Sequence, residues 1–425
     1  MIAERRRNVG GTNWGRPAIS SSVPLARRAL TLVEVLVIIA IVVLLFMLLP
    51  PSMRTGREAA RRNQCLNNTK MLCIALQNHH DTRKSLPLAS TAPLVTPDGI
   101  QQFGALGVAT PIEEAADGPN AGRSWTAGQH GDGYSWIVQC LPYMEEGALY
   151  DKITAAQAAP VQRLGKFADA AFAPSSNLKL EPAASAASPY FWSINMPSLV
   201  CPSFPGEEEV ASFGGIPASR VGTGNYVALA ATHYRSSPAG HLESGLPSAA
   251  GPNAAGRDCA NGPYCGNGGL RFPGIVGGRV QKVGIGPRHF NNGASKVVLI
   301  TESREETLTS WYSGLAPYVV ALVPPPNGAD PVSTAFDSTQ FVWSCDGVAN
   351  CRPALNVGDT KGDRSKYYQP ASPHGGGPRV WGPSSRHPGV VMHGYADAHV
   401  EAIGDDVDAE VYLQSVSTGV RQLPD

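Results

Sequence analysis

The feature that most constrains this chain is an apolar run near its N-terminus. Residues 30–49 read LTLVEVLVIIAIVVLLFMLL, and only Thr31 and Glu34 interrupt the run. As an α-helix with a rise of about 1.5 Å per residue, it spans about 30 Å, which is the thickness of a bilayer core. The sequence therefore predicts a single transmembrane helix over residues 30–49.

The segment before the run is basic. Residues 1–29 contain six arginines against one acidic residue, Glu4, and two of these arginines directly precede the run. Basic residues beside a membrane helix stay on the cytoplasmic side. A secretory signal peptide has a shorter apolar stretch and a small-residue cleavage site, whereas Pro50 and Pro51 follow this one. We expect a cytoplasmic N-terminus and an extracytoplasmic remainder.

Composition describes a loop-rich protein with no affinity for nucleic acid. The formal net charge is 0 and charged residues make up 16% of the chain, so no basic excess is available to bind phosphates. The 46 glycines and 36 prolines indicate long connections. Stretches without clear periodicity, rich in Ala, Pro, Gly and Ser, are predicted to be insertions around a sheet: residues 86–130, 154–190, 235–288 and 322–385.

Cysteine spacing suggests an oxidising compartment. Cys259 and Cys265 have the same spacing as Cys345 and Cys351, and both pairs lie among turn-forming residues. We interpret them as two disulfides that clamp loops, the alternative being four free thiols. No cysteine or histidine cluster has the spacing of a zinc ribbon.

A second helical pattern follows the apolar run. Residues 50–82 carry an apolar stripe at helical spacing, and we expect His79 and its neighbours to close this helix. The pair Pro50-Pro51 is expected to kink or break the helix just outside the apolar run.

Glu34 is costly near the start of a membrane helix unless it has a partner or a function. The stretch RALTLVEVLVIIAIVVLLF resembles the type IV prepilin signature. The resemblance implies that a prepilin peptidase cuts between Ala29 and Leu30 and methylates the new amine of Leu30. It also implies that Glu34 pairs with the terminal amine of a neighbouring subunit during assembly. The family usually has Gly and Phe where this chain has Ala29 and Leu30.

Most of the remaining chain resembles prepilin-type proteins that carry a domain of unknown function and a C-terminal H-x9-DG motif. Five blocks occur in the family's order: REAARRNQCLNNTKMLCIALQNHHD (57–81), YSWIVQCLPYMEEGALYD (134–151), MPSLVCPSFP (196–205), FNNGASKVVLITE (290–302) and RHPGVVMHGYADAHVEAI (386–403). In the last block His387 stands ten residues before Asp397. Ala398 stands where the motif has glycine. Alanine at positive φ is strained by about 1 kcal/mol, so the turn could instead be of a type that does not need positive φ at this position.

Two blocks have a readable secondary structure. Residues 134–151 are predicted to form a strand that runs into a short helix, with Trp136 and Tyr143 as core aromatics. Residues 390–403 alternate between apolar and polar side chains, which predicts a hairpin that turns near Asp397.

The polar face of this hairpin is a candidate metal site, because His393, Asp397, His399 and Glu401 share it. The alternative, which we favour, is a solvated face on which His387 contacts the turn. No metal or other cofactor is expected, and Asp397, Asp405 and Asp406 are retained as weak calcium candidates.

No catalytic motif is found. The chain lacks a G-x-S-x-G elbow, a phosphate-binding G-x-x-x-x-G-K-[ST] loop and an H-E-x-x-H helix. We therefore do not expect an enzyme.

We expect an α+β, pilin-like fold in which a long N-terminal helix packs on an antiparallel β-sheet head with long loop insertions. Its parts are predicted to be a leader (1–29), a transmembrane helix (30–49), an amphipathic extension (50–82) and an extracytoplasmic head (83–425).

The expected function is that of a structural pilin or pseudopilin in the bacterial inner membrane, assembled in a type II secretion or type IV pilus-like system. Its expected partners are the prepilin peptidase and like subunits. The alternative is a membrane-tethered binding or hydrolytic protein that uses the prepilin N-terminus only for targeting.

Overall fold

The structure is a computed structural model. It describes residues 31–96, 99–100, 133–156, 191–204, 222–235, 241–244, 259, 262–276, 279–304, 310–323, 336–337, 342–343, 345, 348, 351–357 and 382–418. Within the first helix, the side chains of residues 45–55 lie outside this description. The chain divides into two compact units, Met1–Gly56 and Arg57–Asp425.

Helix α1 runs from Leu32 to Arg83. It begins with a capping box, in which the Thr31 hydroxyl accepts from the amide of Glu34 at 3.2 Å and the Glu34 carboxylate accepts from the amide of Thr31 at 2.8 Å. Of the kink or break that we expected at Pro50-Pro51, the break is absent, and the kink stays a prediction. Each proline removes one amide donor, yet the helix continues past both.

The first part of α1 is apolar, and its side chains are exposed on every side of the helix. Its large apolar side chains between Leu32 and Leu44 are 41–79% exposed. In the part of the chain that the structure describes, no helix combines the length and hydropathy that a bilayer crossing requires. The predicted segment 30–49 extends beyond that part, since Leu30 and the side chains of 45–49 lie outside it, and it stays a prediction.

The second unit is built on a five-stranded sheet in the order β13-β12-β8-β3-β9. Its strands are β3 (Tyr226–Ala231), β8 (Val298–Glu302), β9 (Tyr318–Val320), β12 (Val390–Tyr395) and β13 (Val400–Gly404). Strand β9 pairs with β3 in parallel, and the other pairings are antiparallel. The α+β class is confirmed, but the sheet is mixed and the prediction of an antiparallel sheet was wrong.

In the described ranges, short two-residue strands form four separate ribbons outside this sheet. They are β1 (Val95–Thr96) with β2 (Gly99–Ile100), β4 (Tyr264–Cys265) with β5 (Phe272–Pro273), β6 (Ile275–Val276) with β7 (Arg279–Val280), and β10 (Phe336–Asp337) with β11 (Val342–Trp343).

Helices cover both faces of the sheet. On one face the α1 residue Cys73 packs against Gly394 of β12 in the larger of the apolar clusters. On the other face, helix α4 (Ala409–Val416) buries Tyr412 and Leu413 against Val391. The Asp408 carboxylate caps α4 by accepting from two backbone amides.

The stretch that we predicted as a strand is helical. Helix α2 spans Trp136–Cys140, a 3₁₀ turn follows at Leu141–Tyr143, and helix α3 spans Gly147–Ala156. The Ser135 hydroxyl caps α2 by accepting from the amide of Val138 at 3.2 Å. Trp136 is fully buried, as expected of a core aromatic, and its indole N–H donates to the carbonyl of Pro317 at 3.1 Å.

Candidate functional site

Four buried side chains from distant parts of the second unit converge at one point. Cys65 lies on α1, Cys201 follows the 3₁₀ turn Pro197–Leu199, Glu302 ends β8, and His387 precedes β12. One sulfur, nitrogen or oxygen atom of each lies within 4.8 Å of the corresponding atoms of the others. We call this group the Cys-Glu-His cluster.

The two cysteines of the cluster form a disulfide. Cys65 and Cys201 lie 136 residues apart in the sequence, so the bond ties α1 to the loop before β3. Asn225 holds that loop in place, because its side-chain oxygen accepts from the amide of Cys201 at 2.7 Å and its own amide donates to the carbonyl of Leu199 at 3.0 Å. Thr69 donates to the carbonyl of Cys65 at 2.9 Å.

His387 connects the cluster to a carboxylate on α1. Its Nδ1 lies 2.7 Å from Oε1 of Glu58, and its Nε2 lies 3.5 Å from Sγ of Cys201. The imidazole is buried, whereas the Glu58 side chain is 35% exposed. Ser203 donates to the same carboxylate at 3.3 Å. Because a carboxylate oxygen only accepts, Nδ1 carries the proton and Nε2 presents its lone pair to the sulfur when the ring is neutral.

Glu302 is the most unusual member of the cluster. Its side chain is fully buried, and among the described residues neither carboxylate oxygen makes a hydrogen bond of ordinary geometry, although the Ser385 side chain and the Met392 backbone approach it as donors. Burial raises the pKa of Glu302 to about 7, and the polar neighbours Ser385 and the Met392 backbone offset part of the rise. Burial also raises the pKa of Tyr226, the strand partner of Glu302, and the nearby carboxylate adds to that rise.

The chemistry open to this cluster depends on the state of the sulfurs. As a disulfide they are a covalent cross-link and not thiolate ligands. As thiolates they would join an imidazole nitrogen and a carboxylate oxygen, a donor set that zinc accepts.

The prepilin resemblance implied roles for three residues near the N-terminus. Ala29 and Leu30 fall outside the described residues. Glu34 lies in the first unit, where its carboxylate accepts from the amide and the hydroxyl of Thr31 at 2.8 and 3.0 Å. Its predicted pairing with a neighbouring subunit stays a prediction.

The structure contains both disulfides that the cysteine spacing predicted, Cys259–Cys265 and Cys345–Cys351. Sequence reasoning missed the pairing of Cys65 with Cys201.

The hairpin face is solvated in part, since Asp397, His399 and Glu401 are exposed as we favoured, but His393 is not. His393 is fully buried under α4, where its Nδ1–H donates to the carbonyl of Val391 at 2.9 Å and its Nε2 accepts from the Tyr412 hydroxyl at 2.8 Å. Alternation alone could not reveal this, because it does not tell whether a helix covers the second face. The expected contact of His387 with the turn was also wrong, since its ring nitrogens face Glu58 and Cys201.

The candidate metal residues of the hairpin are not gathered into one group. Asp397 Oδ1 lies 2.5 Å from Nδ1 of His399 at the turn, and the Tyr395 hydroxyl donates to Glu401 at 3.2 Å. Among the described residues, the Cys-Glu-His cluster is the group in which three or more potential metal ligands lie close enough to bind one ion. Asp397, Asp405 and Asp406 do not belong to it.

One signal in the sequence does point to the cluster. Its four members come one each from four of the five blocks that carried the second resemblance: Cys65, Cys201, Glu302 and His387. Glu58 belongs to the first of these blocks. Blocks that lie far apart in the sequence supply residues to a single point in the fold.

Comparison with known proteins gives a family but no function. The family model described as "Protein of unknown function (DUF1559)" matches residues 54–410 of the chain. No curated protein and no solved structure matches this chain.

Proposed function

The chain belongs to the DUF1559 family of proteins of unknown function, and from that premise we propose that it is a pilin-like structural protein of the bacterial inner membrane. Residues 30–49 anchor it, and the unit from Arg57 onward lies outside the cytoplasm. After prepilin-type processing at Ala29-Leu30, its anchor helices assemble side by side with those of like subunits.

The observation that carries this proposal is the exposed apolar start of α1. From Leu32 to Leu44 large apolar side chains point in all directions around the helix and are 41–79% exposed. A helix that is apolar on every side needs lipid or other helices around it. Its backbone hydrogen bonds are satisfied internally, as a membrane environment requires.

Glu34 supports assembly rather than simple anchoring. It is the one ionisable residue between positions 31 and 49, and it lies in the first turn of α1. Its bonds to Thr31 satisfy the carboxylate locally but leave its charge unneutralised. A terminal amine freed at Leu30 on a neighbouring subunit has the opposite charge and offsets that cost.

Disulfides support an extracytoplasmic location for the second unit. Its described residues contain three: Cys65–Cys201, Cys259–Cys265 and Cys345–Cys351. Disulfides persist in oxidising compartments and are rare in the cytosol.

The Glu34 charge can be tested apart from its capping role. The variant Glu34→Gln retains an oxygen that accepts from the Thr31 amide, but it has no charge. Thr31→Ala removes the hydroxyl cap and retains the charge. We expect chemical cross-linking in the native host to show normal membrane insertion of both variants, loss of multimers in Glu34→Gln and retention of multimers in Thr31→Ala.

A cleft in the second unit favours the alternative of a membrane-tethered binding protein. It has a volume of about 380 Å³ and lies at the C-terminal end of α1, where polar and aromatic side chains line it, among them His79, Arg83, Gln139, Tyr143 and Tyr150. Clefts of this size hold small ligands. Unchanged multimers in Glu34→Gln would contradict the assembly proposal and favour this alternative.

A further inference from the structure

We propose that the Cys-Glu-His cluster is a zinc site when its disulfide is reduced, with Cys65, Cys201, Glu302 and His387 as the four ligands. The disulfide and the metal would then be alternative cross-links at one place in the fold. The inference concerns the second unit alone and does not rest on the proposed membrane function.

The four potential ligand atoms lie close enough together to reach one metal ion once the bond between the two sulfurs is broken. Zinc bonds of roughly 2.0–2.3 Å put the ligand atoms of a tetrahedron roughly 3.3–3.8 Å apart. The four potential ligand atoms already lie within 4.8 Å of one another, and all four residues are buried. Side-chain rotations that separate the two sulfurs and bring the other atoms inward complete the tetrahedron.

Glu302 is the independent sign that the cluster accepts a ligand. Its carboxylate is buried and belongs to the cluster, yet among the described residues neither oxygen makes a hydrogen bond of ordinary geometry, and the donors that approach it are the Ser385 side chain and the Met392 backbone. A buried polar group without a partner costs stability. A cation bound at this point would satisfy it.

His387 is already oriented as a metal ligand. Its Nδ1 lies 2.7 Å from Oε1 of Glu58, which fixes the proton on Nδ1. Its Nε2 therefore presents a lone pair toward Sγ of Cys201, 3.5 Å away. A carboxylate behind a histidine is the usual outer-shell support of a zinc-bound imidazole. Glu58 is thus a positioning residue that acts through His387.

The chemical step is a two-electron thiol–disulfide exchange followed by metal binding. A dithiol reductant, such as a thiol oxidoreductase, transfers two electrons and two protons to the Cys65–Cys201 bond and becomes a disulfide itself. Zinc then displaces the two thiol protons and binds the two thiolates, Nε2 of His387 and a carboxylate oxygen of Glu302.

The test uses the full-length chain in detergent, reduced with a dithiol under anaerobic conditions and titrated with Co²⁺ as a probe for zinc. We expect one tightly bound Co²⁺ per chain with thiolate-to-metal charge-transfer absorption. The oxidised chain should show no such band. Loss of the band is expected in Cys65→Ser/Cys201→Ser, and its retention in the matched control Cys259→Ser/Cys265→Ser.

A coordination measurement on the wild-type chain removes any dependence on how the variants fold. X-ray absorption of the zinc-loaded, reduced protein should show two sulfur and two nitrogen or oxygen neighbours. Four sulfurs, no sulfur, a reduced chain that binds no metal, or an unchanged Co²⁺ band in Cys65→Ser/Cys201→Ser would each overturn the proposal.

The positioning role of Glu58 has its own readout. Glu58→Gln should weaken Co²⁺ binding by about 10–100-fold, because the imidazole loses its carboxylate support, while the number of sulfur ligands stays at two. An affinity within twofold of the wild type would overturn this role.

Discussion

At the scale of single residues, His387 joins three segments that lie far apart in the sequence. Its ring lies between Glu58 on α1 and Cys201 in the loop before β3. The backbone amide of His387 donates to the Ser385 hydroxyl at 3.2 Å, which fixes the loop that carries the ring. One side chain therefore links the loop before β12 to the long helix and to the loop before β3.

Ala398 provides a prediction about backbone strain. The turn that begins at Tyr395 places Ala398 at φ 67°, the left-handed region that favours glycine. Alanine meets steric strain in this conformation, whereas glycine does not. We expect Ala398→Gly to raise the free energy of unfolding by about 1 kcal/mol in urea denaturation.

The control for this prediction is Ala396→Gly in the same turn. Ala396 is buried and is not at positive φ, so the added chain freedom and the lost methyl contacts should lower stability by about 1 kcal/mol. Equal effects of the two substitutions would contradict the assignment of strain to Ala398.

His393 predicts a loss of stability in acid. Burial lowers the pKa of His393 to about 4, against an ordinary value near 6.5, and its bond to the Val391 carbonyl offsets part of this shift. Between pH 6.5 and about 4, His393 binds a proton in the unfolded chain but not in the folded chain. Stability is therefore complete above pH 6.5 and falls until the pH reaches the folded pKa, by roughly 3 kcal/mol.

Urea denaturation between pH 7 and pH 4 measures this loss. Burial also lowers the pKa of His79 to about 4, so this residue adds a loss of the same sign. Burial raises the pKa of Glu302 to about 7, so this residue adds stability as the pH falls over the same window. The His393 loss is therefore measured as the difference between the wild type and His393→Gln. A difference that stays the same from pH 7 to pH 4 would contradict the prediction.

At the scale of elements, α1 packs closely on the C-terminal hairpin. Gly394 of β12 faces α1, where an added Cβ would collide with Sγ of Cys73 and approach Ile300 Cγ1 to 2.9 Å. Glycine is thus required by the approach of the helix to the sheet. The Gln77 side chain adds a bond to the carbonyl of Ala396 at 3.3 Å.

Gly394→Ala should lower the free energy of unfolding by about 2 kcal/mol, because the new methyl group overpacks the interface. In Cys73→Ala/Gly394→Ala part of this loss should return. Gly147→Ala, where an added Cβ meets nothing within 4 Å, is the matched control and should change stability by less than about 0.5 kcal/mol. A double variant that is no more stable than Gly394→Ala would contradict this packing.

Local sequence patterns predicted some elements and failed for others. The hairpin of β12 and β13 followed from period-two alternation, and the helix ending near His79 followed from an apolar stripe. We predicted a strand for residues 136–140 because a short, buried apolar run has no distinctive period. The structure has a helix there, and the Ser135 side chain caps its N-terminus. The parallel pairing of β9 and the Cys-Glu-His cluster depend on long-range contacts, which local patterns do not encode.

At the scale of the whole molecule, the three disulfides differ in how much chain they constrain. Cys65–Cys201 spans 136 residues and Cys259–Cys265 spans six. A longer closed loop restricts the unfolded chain more. Cys65→Ser/Cys201→Ser should therefore cost roughly 3 kcal/mol more in urea denaturation of the oxidised protein than Cys259→Ser/Cys265→Ser. Equal costs would contradict this difference.

Our proposal requires that the chain is processed as a prepilin and retains its apolar segment as an anchor. Mass spectrometry of the N-terminal peptide, from protein purified out of its native host, tests this claim most directly. The account predicts a peptide that begins with N-methylated Leu30, with Glu34 at its fifth position. A protein that still begins at Met1, or one that has been cut after residue 49, would contradict it.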